Sequence, residues 1–168
     1  MKSALVNKKP KTFALIFDTG DEVMSGLKQF AEQNRLSASH FTAIGAFSDA
    51  VLGFFDVQQR AYKKNMIKEQ TEVLSLVGDV VLGDSGPTVH AHVVLGKSDA
   101  TAHGGHLVEA HVRPTLEVIL TEAPRHLHRL PDAETGLALI HIEDHPKRNR
   151  RSTGPRRPAR RLLTPGRA

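Results

Sequence analysis

The chain contains no cysteine, no tryptophan and a single tyrosine among 168 residues. Without cysteine there are no disulfides, no thiolate metal ligands and no thiol nucleophile, and the composition suits a reducing, cytoplasmic setting. Aromatic residues make up 5% of the chain. Stacking platforms for single-stranded nucleic acid need exposed rings, whereas Phe41, Phe47, Phe54 and Phe55 sit in apolar strand-like runs that suit a core or an interface. No segment approaches the ~18 apolar residues of a membrane span. No apolar stretch backs the N-terminal lysines as it would in a signal peptide. Nucleophile-elbow, phosphate-loop and dinucleotide patterns are missing too.

Acidic residues are missing from one place. Residues 146–168 hold nine of the 23 Lys and Arg and none of the 18 Asp and Glu, leaving 14 basic residues against 18 acidic ones in the rest. The net charge of +5 therefore belongs to the tail, and the body is acidic. Proline, glycine and arginine with few apolar residues predict a disordered tail. Arg148, Arg150, Arg151, Arg156, Arg157, Arg160 and Arg161 would attract phosphate in a salt-sensitive, sequence-independent way. The expected division is a flexible lead-in at 1–11, one domain at 12–145 and the basic tail at 146–168.

Histidine is plentiful: ten in all, four of them within 87–107. His90 and His92 lie one residue apart in the β-branched run TVHAHVVLG, so a strand points both imidazoles to one face and Val89, Ala91 and Val93 to the other. The chain then turns through Gly96-Lys97-Ser98-Asp99 and returns through Gly104 and Gly105 to His106. Paired glycines allow a close backbone approach. The expectation is that His90, His92 and His106 converge on a divalent ion, with zinc first in line. Three nitrogen ligands and an open position suit a reactive or exchangeable site. His103 and His111 are nearby substitutes, although the five-residue step from His106 puts His111 on the opposite strand face.

Elsewhere the pattern is mostly β. Thr12–Phe17 reads as a strand. Asp18 or Thr19 would cap a helix over about 21–34, in which Val23, Leu27, Phe30 and Ala31 recur at helical spacing. Strand-like runs follow at 40–47, 50–57, 69–82 (two segments joined by a bulge at Gly78), 88–95, 112–122 and 136–142, and Arg60-Ala61-Tyr62 continues a hairpin. The expected fold is α+β: a mostly antiparallel sheet of about seven strands with one main helix packed on it.

The order of FTAIGAFSDAVLGFFD (41–56), EVLSLVGDV (72–80), HAHVVLG (90–96), GGHL (104–107) and VRPTLEVIL (112–120) resembles the plants-and-prokaryotes-conserved domain, across about residues 12–142. The resemblance implies an antiparallel sheet with a packed helix and a homotrimer. It also implies, by analogy with some prokaryotic members, a zinc site at His90, His92 and His106. Plant members add an AT-hook that reads A·T-rich minor grooves and contact transcription factors, and single-domain members are labelled DNA-binding by extension. This chain departs at the hook: Gly154-Pro155-Arg156-Arg157-Pro158 has its residue types in the wrong order.

Two functional expectations follow. One is a trimeric, metal-binding, DNA-associated or regulatory protein whose tail contacts phosphate, with no membrane partner. The alternative is a zinc-dependent enzyme of hydrolase or lyase type, in which Glu117 or Glu109 orients a ligating histidine or serves as a base. A purely structural metal is a further possibility for the same site.

Overall fold

A computed structural model describes residues 1–123 and 127–142, apart from the side chains of 3–8. Nine strands and one helix follow in the order β1 (Lys2–Lys8), β2 (Lys11–Asp18), α1 (Val23–Gln33), β3 (Ala38–Asp56), β4 (Ala61–Ile67), β5 (Thr71–Gly83), β6 (Gly86–Gly96), β7 (Ala102–Glu122), β8 (His128–Pro131) and β9 (Ala138–His141). All pairings are antiparallel except β5 with β8. The α+β class is as expected.

The four long strands make a closed wall. β3 pairs with β5, β5 with β6, β6 with the first part of β7, and β7 again with β3. The second part of β7 also pairs with β2, and β1 lies outside β2. Strict alternation fills the interior: Phe13, Leu15 and Phe17 on β2, Ala91, Val93 and Leu95 on β6, and Leu116, Val118 and Leu120 on β7 are all buried. Each such Leu or Phe contributes about 1.5–3 kcal/mol relative to exposure. The helix lies against β6 and β7. Its stripe of Val23, Leu27, Phe30 and Ala31 is buried, and the Phe30 ring meets Phe13 edge-on at 5.1 Å.

Several boundaries differ from the sequence reading. The lead-in expected to be frayed includes β1, which takes up the otherwise free edge of β2. The helix is capped by Glu22, whose carboxylate accepts from the Met24 and Ser25 amides, and not by Asp18 or Thr19. Asp18 is occupied in the turn before it, where its amide donates to Asp21. The runs at 40–47 and 50–57 form one strand, β3, with register shifts against its neighbours. Gly78 marks no bulge: β5 stays in register there, and the irregularity against β6 falls between Val73 and Ser75. At Gly78 the need is for space, because a Cβ would overlap the Phe41 ring and sit 2.5 Å from the His90 carbonyl oxygen. Phe41 and Phe47 are buried as expected, whereas Phe54 is exposed.

Candidate functional site

His90 and His92 project from the outer face of β6, since Ala91 and Val93 between and beyond them are buried. Antiparallel pairing then sets their neighbours. Val77 and Asp79 on β5 stand opposite His92 and His90, and His106 on β7 stands opposite His92. Directly opposed residues share a face, with Cβ atoms about 4.5–5.5 Å apart, so register alone gathers the three imidazoles. Their ring centroids lie 5.1–5.5 Å apart, and one nitrogen from each falls within 4.8 Å of the others.

The glycines before His106 act as the sequence suggests. A Cβ on Gly105 would lie 2.9 Å from the Gly53 carbonyl oxygen, so a side chain there would push β7 away from β3. Gly53 is also the β3 residue opposite His106, and its bare Cα leaves room for the Tyr62 ring of β4. That ring covers His106 with centroids 4.9 Å apart and planes 33° apart.

The electrostatics favour the neutral form of His92 and His106. Burial, then the proximity of His90 and His92 and the Arg129 charge, push His106 down to about 4. Burial and His90 also lower His92. The Nδ1 of His106 is buried with no hydrogen-bond partner, which costs about 1–3 kcal/mol when nothing satisfies it. Three imidazole nitrogen donors, one of them buried and unsatisfied, fit a borderline-soft divalent cation such as zinc.

Sequence reasoning missed the polar surroundings. Arg129, on β8, donates from Nη2 to Asp79 Oδ1 at 2.6 Å and lies 3.3 Å from His90 Nδ1. The second Asp79 oxygen is 3.9 Å from His90 Nδ1. Burial raises Asp79, but the contacts to His90 and Arg129 outweigh it and hold the carboxyl below its ordinary range. Carboxylates that orient ligating histidines accept from the ring N–H; at 3.9 Å Asp79 is an ionic neighbour of His90 instead, linked to it through Arg129. The residues expected in that role lie elsewhere: Glu117 is opposite Ile16 and Ile44, and Glu109 is opposite Val51. No local signal marks Arg129, because its place depends on β8 docking beside Leu82. Of the two substitutes, His103 meets the Thr101 hydroxyl, and His111 pairs with Asp49 at 2.9 Å. Spacing alone puts His111 on the strand face opposite His106, but the irregularity of β7 between Leu107 and Glu109 turns both outward. The arginines expected to bind phosphate, Arg148 to Arg161, lie outside the described residues.

A pocket of about 400 Å³ opens beside the cluster, lined by His90, His106, Tyr62, Arg129 and the β8–β9 hairpin. A larger hollow of about 670 Å³ lies around Glu69 and Lys97, which form an ion pair at 2.7 Å, and contains no histidine. No helix among the described residues is long and apolar enough to cross a membrane.

Comparison with known proteins gives a consistent fold. A metal-containing protein from Archaeoglobus fulgidus matches at 34% identity and a TM-score of 0.73, covering 84% of this chain and 97% of that one. A plant- and prokaryote-conserved protein from Pyrococcus horikoshii matches at 30% identity and a TM-score of 0.75, with coverages of 86% and 97%. A Bacteroides thetaiotaomicron protein with a provisional DNA-binding name reaches a TM-score of 0.77 at 22% identity, with coverages of 83% and 96%, and speaks for the fold alone. No curated protein matches. The sequence profile of the Plants and Prokaryotes Conserved (PCC) domain matches residues 5–124, well over half the chain. The chain belongs to the Plants and Prokaryotes Conserved domain family.

Proposed function

We propose that this protein is a metal-binding regulatory module, holding a divalent ion, zinc first, between His90, His92 and His106. The observation that carries it is the convergence of three imidazole nitrogens within 4.8 Å on a wall where strand register alone brings them together. The metal-containing name of the Archaeoglobus fulgidus relative supports the same reading. When bound, such an ion supplies Lewis acidity. The chain's own residues hold it: Asp79 and Arg129 fix His90, and Tyr62 shields His106 from water. Elemental analysis of tag-free protein should find about one metal per chain; protein that stays metal-free after incubation with zinc defeats the reading.

The module is proposed to act as a homotrimer. Ile44, Leu74, Val77 and Ile119 are 49–61% exposed and line one groove on the sheet's outer face, where Val77 stands opposite His92. Contiguous apolar patches of this kind usually mark an interface. A mass of one chain by light scattering would exclude the trimer. Three copies of tail 146–168 would then bind DNA phosphates with avidity. Removing 146–168 should abolish DNA retention at low salt, and unchanged retention would refute the tail's role.

The second reading, a metal-dependent hydrolase or lyase, is favoured by the pocket that borders His90 and His106. The carboxylate nearest His90 in that reading is Asp79, which Arg129 links to the ring, in place of Glu117 or Glu109.

A further inference from the structure

The β8–β9 hairpin lies beyond residue 124, where the family match ends, and it supplies one wall of the histidine pocket. What it brings is specific. The Arg129 side chain is only 10% exposed, and its three nitrogens are unequally used. Nη2 meets Asp79, Nη1 donates to the Ala138 carbonyl at 3.0 Å, and Nε is buried with no partner. Around it the hairpin places Pro131, Leu137, Ala138 and Leu139. A buried, partly unsatisfied guanidinium next to an apolar wall is the recognition chemistry of a small organic acid. With both Nη atoms engaged, Nε remains as a single charge-assisted donor for a carboxylate oxygen, and an aliphatic lining suits a short alkyl chain.

We propose that the β8–β9 hairpin makes the histidine pocket a binding site for a small aliphatic carboxylate, with the acid group between Arg129 and the histidine-held ion and the alkyl chain against Leu137–Leu139. This rests on the metal reading above. Charge balance favours an anion there. Asp79 neutralises Arg129, so an ion held by three neutral imidazoles keeps its positive charge unless a ligand supplies the counter-charge. The apolar wall argues for an organic acid over inorganic phosphate. The pocket's volume of about 400 Å³ leaves room for a ligand of a few carbons.

The test is calorimetric titration of the zinc-loaded full chain with acetate, butyrate and inorganic phosphate, after its zinc content has been measured. Butyrate should bind more tightly than acetate, and phosphate less tightly than butyrate. Arg129→Gln should weaken butyrate by about tenfold or more, with parent and variant each titrated at a zinc content confirmed by elemental analysis. Leu139 is 45% exposed, so Leu139→Glu leaves the fold intact, and it should remove the preference for butyrate over acetate. A zinc-loaded protein that binds neither acid, binds butyrate equally well as Arg129→Gln, or prefers phosphate overturns this inference and leaves the metal reading standing. A protein that takes up no zinc overturns both.

Discussion

Two histidines on one strand show how position decides chemistry. His106 and His111 are five residues apart on β7, and the irregularity between Leu107 and Glu109 turns both away from the buried Leu107, Ala110 and Val112. His106 is covered by Tyr62, lies among two other imidazoles and an arginine, and is driven down to about 4, chiefly by burial. His111 is raised, chiefly by its hydrogen bond to Asp49, and Asp49 is lowered in return. One environment keeps a lone pair free for a cation. The other favours the imidazolium and makes an ion pair. The residue type is the same, so the neighbours set the role.

Removing the ring tests the first half of the contrast most severely. His106→Ala should weaken zinc by more than about 100-fold in a chelator competition, since loss of an outer partner alone costs about 10–100-fold. His111→Ala should leave zinc affinity unchanged in the same assay, and equal losses would erase the distinction. The next largest effect should come from Asp79→Asn, which keeps the shape but removes the charge that holds Arg129 and orients His90. It should lower zinc affinity by about 10–100-fold.

The His111–Asp49 pair should show itself in stability against pH. The folded value of His111 is raised, so its contribution is fully present below the unfolded histidine value of about 6.5 and fades as pH rises through the folded value. The folded value of Asp49 is lowered, so its share is present above about 3.9 and fades as pH falls through the folded value. His111→Gln should therefore lower the melting temperature more at pH 5.5 than at pH 8.5. Both groups are substantially exposed, so the difference should be a few degrees at most. An equal drop at both pH values would show that the pair carries no charge-dependent stability. The smallest effect is expected from Glu117→Gln, whose carboxylate stands opposite Ile16 and Ile44, far along β7 from the imidazoles. Zinc affinity within about twofold of the parent is the expected result, and a larger loss would restore Glu117 to the site.

The histidine trio was legible because two of its members are neighbours on a strand. Alternation told which way His90 and His92 point, and the Gly104-Gly105 pair signalled the close approach that delivers His106. The helix stripe at Val23, Leu27, Phe30 and Ala31 was equally plain, being a period within a single segment. Glu22 as cap was missed because Asp18 and Thr19 satisfy the same rule locally, whereas Asp18 is used in the preceding turn and the Thr19 hydroxyl donates to the Pro114 carbonyl. Strand ends were misjudged where glycine or proline suggested a break, as at Gly104 and Pro114, which β7 passes through.

By itself the sequence determined the alternation of each strand, the amphipathic helix, the acidic body and the chemical nature of the donor set, because these depend on spacing within a few residues. Tertiary structure decided the partners. Asp79 faces His90 only because β5 and β6 pair in that register, Tyr62 covers His106 only because Gly53 yields space, and Arg129 arrives only when β8 docks beside β5. The sequence separation of these contacts is large, and no local period carries it. Register is a property of two chain segments together, set where their apolar faces meet in a common core.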